Sequence, residues 1–218
     1  FAGHIWKDKP QVLWMPMHNV PLLRRRGLRT VVTIHDLAFK YFPETFTKKD
    51  LFKINLLTKM AIMNADRIIT VSQSTKRDIL KFYPRVKEKD ISVVYHGFDR
   101  TVFEKERDLK REEEIKNKYK IDSPYICYIG AIQPRKNLER LVEAFDILKS
   151  ESDQKLKLVL VGERAWLSEG LFRKISRSRW KEEIICPGRL DFEEVGHILR
   201  GAHNFVFPSL YEGFGIPI

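Results

Sequence analysis

YICYIGAIQPRKNLERLVEAFDIL, residues 125–148, sets the fold class. It opens on an apolar run without polar alternation, which suits a strand buried on both faces, as in a parallel sheet. A glycine and a short polar turn follow. Then Leu138, Leu141, Val142, Phe145 and Leu148 recur at the spacing of one helix face, with Asn137 placed to cap the start. Similar runs stand between amphipathic stretches at TVVTIHD (30–36), RIITVS (67–72), ISVVYHG (91–97), KLVLVG (157–162), EIICPG (183–188) and NFVFPS (204–209), and QVLWMP (11–16) opens the series. In DFEEVGHIL (191–199) Asp191 and Glu194 stand at capping-box spacing. Strand followed by helix, repeated, predicts a doubly wound α/β fold.

The rhythm breaks once. Between Phe98 and Ser123 the chain is highly charged and poor in aliphatic residues, so no strand fits until Tyr125. A domain junction is expected there, dividing the chain into residues 1–105 and 106–218. Each part carries too few units for a complete doubly wound sheet. QVLWMP has no preceding unit to cover it and PSLYEGFGIPI (208–218) stops in apolar residues, so both domains are expected to be incomplete within this chain, an internal fragment of a longer enzyme.

The composition of the 218 residues, 43% hydrophobic and 11% aromatic, is that of a folded globular chain. No apolar run approaches the roughly 20 residues that cross a bilayer, and FAGHIWKDKP lacks the flank and apolar centre of a signal peptide, so a cytoplasmic location is expected. Cys127 and Cys186 have no second Cys or His at ligand spacing, which argues against a disulfide framework or zinc site and for core thiols. The net charge of +11 favours anionic partners: phosphorylated metabolites, anionic lipid or nucleic acid. Nucleic acid is the weaker inference, because aromatic and basic residues are not interleaved. The basic stretch Arg24 to Arg26 reads either as a solvated turn or as a contact with a membrane surface or acceptor.

In open α/β sheets ligands bind beyond the carboxyl ends of the strands, where helix N-termini attract anions. Three strand ends carry suitable groups. After TVVTI come His35 and Asp36, an imidazole in a cleft or a structural histidine. After YICYI come Gly130 and then Arg135 and Lys136 just before a helix, either ordinary loop charges or a clamp for a diphosphate. After NFVFPS comes Glu212 with Gly213, Phe214 and Gly215, where the carboxylate either complements a helix start or accepts hydrogen bonds from sugar hydroxyls. The P-loop and dinucleotide fingerprints are both absent. Trp166, His18, His96 and His203 fit no constellation in the sequence, and core or surface roles are expected for them.

Taken together, VTIHDLAF (32–39), ADRIITVSQSTKRDI (65–79), VVYHGFD (93–99), YIGAIQPRKNLERLVEAF (128–145), LVLVG (158–162) and PSLYEGFGIPI (208–218) resemble the retaining glycosyltransferases of the GT-B fold, family 4, a group rich in bacterial mannosyl- and glucosyltransferases. The resemblance covers most of the chain in the family's order. It implies two facing Rossmann-like domains, the N-terminal one on the acceptor side and the C-terminal one holding the nucleotide sugar. Arg135 and Lys136 match the pair that contacts the donor diphosphate, near Gly130; many relatives carry a further Arg where this chain has Ala131. Glu212 matches the first acid of the Glu-x7-Glu motif, which contacts the donor sugar, with Gly213, Phe214 and Gly215 around it, and His35 matches the cleft histidine or its neighbourhood, beside Asp36.

The activity so implied is transfer of a hexose, mannose or glucose, from a GDP- or UDP-sugar to a hydroxyl of a glycan or lipid-linked acceptor, with retained configuration. Fixed cations and helix amides would meet the charge developing on the diphosphate, so no metal or other cofactor is expected, in keeping with the absence of an Asp-x-Asp motif. The charge is also compatible with peripheral contact with an anionic membrane. The competing expectation is a non-catalytic nucleotide-sugar or polyanion-binding module of the same fold.

Overall fold

The computed structural model describes residues 6–21, 25–103 and 106–217. Arg24 of the basic stretch, and Lys105 at the expected domain boundary, lie outside the described residues. The chain forms two compact units: Phe1–Gly97 with Glu212–Ile216, and Phe98–Tyr211 with Pro217–Ile218. Glu212–Ile216, expected in the second domain, therefore belongs by its contacts to the first unit.

The first unit holds a parallel sheet in the order β1-β2-β3-β4, from β1 Val12–Met15, β2 Arg29–Ile34, β3 Arg67–Thr70 and β4 Ile91–Val93. Helices Lys48–Asn64 and Gln73–Phe82 make the crossovers. Each starts where a hydroxyl can hold a free amide: Thr47 accepts the Asp50 N–H and Ser72 accepts the Thr75 N–H. Val32 and Ile34 of β2 and Ile68 of β3 pack with Phe39, Ile62 and Ile79 from the helical layers into one core.

The second unit holds a parallel sheet in the order β7-β6-β5-β8, from β5 Tyr125–Ile129, β6 Lys157–Val161, β7 Ile184–Gly188 and β8 Asn204–Phe205. Residues along β6 alternate between two cores. Leu158 and Leu160 pack with Leu141, Val142 and Phe145 of the Leu138–Glu151 helix, whereas Val159 and Val161 pack with Cys127, Ile115 and Ile198 on the other face. That double burial is why the strands read as unbroken apolar runs. Leu148, expected on the core face, is 37% exposed and lies in the last turn of the helix. NFVFPS supplies only the two residues of β8 and one further bond, from Val206 N–H to the Cys127 carbonyl at 2.9 Å. The edge strand β7 carries a proline, Pro187, that an edge tolerates.

Two helix starts depart from their expected chemistry. Asn137 stands at the N-cap of Leu138–Glu151 in the left-handed region, φ 58°, and its side chain makes no cap bond. Its Nδ2 donates instead to the Pro208 carbonyl at 3.2 Å. Asp191 does cap, accepting the Glu194 N–H at 2.8 Å. The Glu194 carboxylate, expected to reach back in a capping box, instead receives Lys118 and the Tyr119 hydroxyl, and so ties this helix to Leu109–Lys118.

Candidate functional site

At the carboxyl ends of the first unit's strands the structure assembles three imidazoles. The His35 ring stacks between His18, with centroids 6.1 Å apart, and His96, 5.5 Å apart. His18 and His96 thus join a constellation that their sequence positions alone did not suggest. A signal existed: His18 follows the end of β1, His35 that of β2 and His96 that of β4, so parallel pairing brings all three to one rim.

Hydrogen bonds fix the rings. His35 donates its main-chain N–H to Nε2 of His18 at 3.0 Å, so the His18 proton sits on Nδ1, facing the Thr58 hydroxyl 3.2 Å away. Burial pushes the His18 pKa down to about 4, opposed by the charge of Asp36 and reinforced by His35. His18 is therefore neutral at physiological pH. Nε2 of His35 lies 2.8 Å from the Pro16 carbonyl, which can only accept, so that nitrogen carries a proton. In the neutral ring Nδ1 then keeps a lone pair for a hydroxyl ligand. Asp36 accepts the Ala38 N–H at 2.9 Å and shapes the turn after β2.

The Gly213–Gly215 turn lies against this rim. Gly213 is buried, and its carbonyl lies 3.5 Å from the Thr75 hydroxyl, which also donates to the His35 carbonyl at 3.2 Å. Phe214 meets His96 edge-on at 5.3 Å between centroids. Gly215 adopts φ +89°, a conformation that suits glycine. Glu212, which enters the turn, is half-buried.

The second unit has its own rim. Gly130 ends β5 with φ +151°, and a β-carbon there would stand 2.6 Å from the Tyr128 hydroxyl. Gly162, at the matching place after β6, was not among the expected site residues, although LVLVG repeats the strand-then-glycine pattern of YICYIG. Any β-carbon on Gly162 would stand 1.8 Å from the Gly130 carbonyl oxygen. Gly162 lets the neighbouring strand ends approach backbone to backbone, and Gly130 makes way for the Tyr128 hydroxyl.

After β5 and Gly130, Pro134–Lys136 makes one tight turn. Its Arg135 guanidinium donates to the Tyr211 carbonyl, the Leu210 N–H donates to the Arg135 carbonyl at 2.9 Å, and Asn137 reaches Pro208. Arg135 thus braces the 208–211 loop in addition to supplying charge. Lys136 is 9% exposed, with its ammonium 5.4 Å from the centre of the Phe207 ring. The first helical turn has no side-chain cap, so a cation and a positive helix end occupy the same strand end, as an anion site requires. Burial pushes the thiol of Cys127 up to about 12 and that of Cys186 up to about 11, which keeps both protonated. Among the described residues no group of His, Cys, Asp and Glu side chains forms a metal cage.

Two parallel α/β units, each with polar groups gathered at its strand ends, are the architecture of the GT-B fold. The profile described as "Glycosyl transferases group 1" matches residues 110–218, half of the chain, and the one described as "Glycosyltransferase Family 4" matches residues 5–102. The chain belongs to the glycosyl transferases of group 1. It is 27% identical to O-antigen chain mannosyltransferase B of Escherichia coli over 90% of its length and 51% of that protein's. It is 28% identical to O-antigen chain mannosyltransferase RfbU of Salmonella typhimurium over 92% of its length and 50% of that protein's. The chain thus spans about half the length of these curated relatives. Among solved structures, Anabaena HepE in complex with UDP and glucose superposes with a TM-score of 0.75 at 14% identity, over 100% of this chain and 58% of that one. WaaG, a glycosyltransferase involved in lipopolysaccharide biosynthesis, does so with a TM-score of 0.74 at 14% identity, over 99% and 58%.

Proposed function

We propose that the chain belongs to a retaining hexosyltransferase that moves mannose from a nucleotide diphosphate to a hydroxyl of a glycan or lipid-linked acceptor. The observation that carries this reading is Lys136 at a strand end beside a helix start that has no side-chain cap. The cation and the free amides of the helix start meet the charge that grows as the sugar bond breaks. Arg135 and Lys136 provide that charge stabilisation without a metal in this scheme. Glu212 orients the donor sugar, and Gly213, Phe214 and Gly215 form the turn that holds it. His35 lies near the reacting hydroxyl, its Nδ1 accepting from a second, non-reacting sugar hydroxyl; His18 fixes its backbone and Asp36 shapes the turn that follows. The leaving phosphate oxygen takes the acceptor proton on the same face as departure, which retains the configuration. Mannose is favoured over glucose by the names of the bacterial relatives, whereas the UDP and glucose held by the Anabaena protein keep glucose as the competitor to test.

The test is thermal denaturation of the full chain with GDP-mannose and with UDP-glucose. A donor at a hundred times its Kd stabilises the native state by about 2.7 kcal/mol, a shift of a few degrees. GDP-mannose is expected to give it, and Lys136→Ala to remove it. No shift with any nucleotide sugar refutes the reading. Donor binding without transfer in the longer protein supports a non-catalytic binding module instead.

A further inference from the structure

Aromatic rings follow one another along the first unit's rim. His18 stacks on His35 and His35 on His96; Phe214 meets His96 edge-on, and Tyr95 lies at 35° to Phe214 with centroids 6.1 Å apart. The row changes character along its length. At one end His18 is tied to the His35 N–H and faces the Thr58 hydroxyl, whereas at the other Phe214 is 39% exposed and Tyr95 62%. A single exposed aromatic residue is ordinary on a protein surface. Here two exposed rings meet beside hydrogen-bonding imidazoles, just past the carboxyl end of β4, where parallel sheets receive their ligands. The first unit's core is built from other residues, so packing does not account for the Tyr95 ring.

We infer that Tyr95 and Phe214 form a stacking platform for a hexopyranose, and that Tyr95 selects an acceptor ending in a sugar ring over a hydroxyl carried on an apolar chain. A pyranose has two kinds of surface, hydroxyls around its edge and a patch of C–H bonds on a face. The negative face of an aromatic ring attracts that C–H patch. The edge hydroxyls need polar partners, and the adjoining imidazoles supply them, the Nδ1 lone pair of His35 among them. An apolar chain would cover the rings and desolvate the imidazoles without bonding them, which decides for the sugar. Tyrosine suits the task, since it offers a broad rigid face and loses little side-chain freedom on contact. The platform's role as the acceptor's seat rests on the sugar-transfer reading; its affinity for a pyranose does not.

The test is an NMR titration of the full chain with methyl α-mannopyranoside and, in a separate arm, with hexanol. Saturation transferred from the protein is expected to concentrate on the mannoside protons of one ring face. Tyr95→Leu, which keeps apolar bulk without a ring, is expected to weaken binding about fivefold, whereas Tyr95→Phe should change it by less than about twofold. Phe52→Leu, at a 72% exposed ring on the Lys48–Asn64 helix, is the control and should leave it unchanged. Stabilisation by GDP-mannose should survive in Tyr95→Leu. The inference is overturned if the wild type ignores the mannoside, if Tyr95→Leu binds it as the wild type does, if Tyr95→Phe loses as much as Tyr95→Leu, if Phe52→Leu weakens it equally, or if hexanol shifts the Tyr95 ring signals as far as the mannoside does. Any of these results alongside an intact donor shift leaves sugar transfer standing. A Tyr95-dependent mannoside response with no donor shift refutes sugar transfer and retains the platform as a sugar-binding site. Circular dichroism confirms that each variant is folded before it is scored.

Discussion

The carbonyl oxygen of His35 stands 1.9 Å from where a β-carbon on residue 213 would lie. Only glycine fits at that contact. Gly213→Ala is therefore expected to lift the turn from the rim and withdraw Phe214 from His96. The ring-current shift of the His96 protons in an NMR spectrum reads this directly. Gly97→Ala, where a β-carbon meets nothing within 4 Å, is the matched control and should leave the shift in place.

Gly162→Ala meets two obstacles at once, φ +152° and the Gly130 carbonyl 1.8 Å away. A cost of about 3 kcal/mol or more is expected, carried by the second unit. Gly188→Ala faces only an unfavourable φ of +83° in open space and should cost about 1 kcal/mol. Urea denaturation of the two variants ranks them; equal midpoints would contradict the close approach of the two strand ends.

Acid should weaken the fold through His18. Its folded pKa is about 4, below the ordinary 6.5, so the unfolded chain takes up a proton that the native ring resists. The contribution is fully present above about pH 6.5, is lost as the pH falls towards about 4, and amounts to about 3 kcal/mol over that window. Melting temperatures measured across this range should fall less steeply in His18→Asn than in the wild type.

Asn137 holds a left-handed φ of 58° while bonding the Pro208 carbonyl. Asn137→Gly keeps the backbone and loses the bond, and should cost about 1 kcal/mol; Asn137→Ala loses both and should cost about 2 kcal/mol. Chemical denaturation separates the two. A milder effect for alanine than for glycine would mean that backbone strain contributes nothing there.

The strand-helix succession could be read from the sequence because each buried strand is apolar on both faces, as Leu158 to Val161 show. Gly130, Lys136 and Gly213 stood out by their places at strand ends together with the family resemblance, and packing against Tyr128 and His35 explains the two glycines. What could not be read is what depends on pairing across the sheet. His18 and His96 join His35 only once β1, β2 and β4 are in register, and Asn137 was read as a cap because its long-range acceptor, Pro208, is 71 residues away. Gly162 escaped for the same reason, since its obligation is to a neighbouring strand.

The return of Glu212–Ile216 to the first unit makes that unit discontinuous along the polypeptide. On a ribosome, β1 to β4 emerge long before the Gly-Phe-Gly turn that closes over their rim. The histidine rim is thus covered only after the second unit's strands have been made, and a nascent polypeptide that has reached only Gly97 leaves His35 and His96 without their cover.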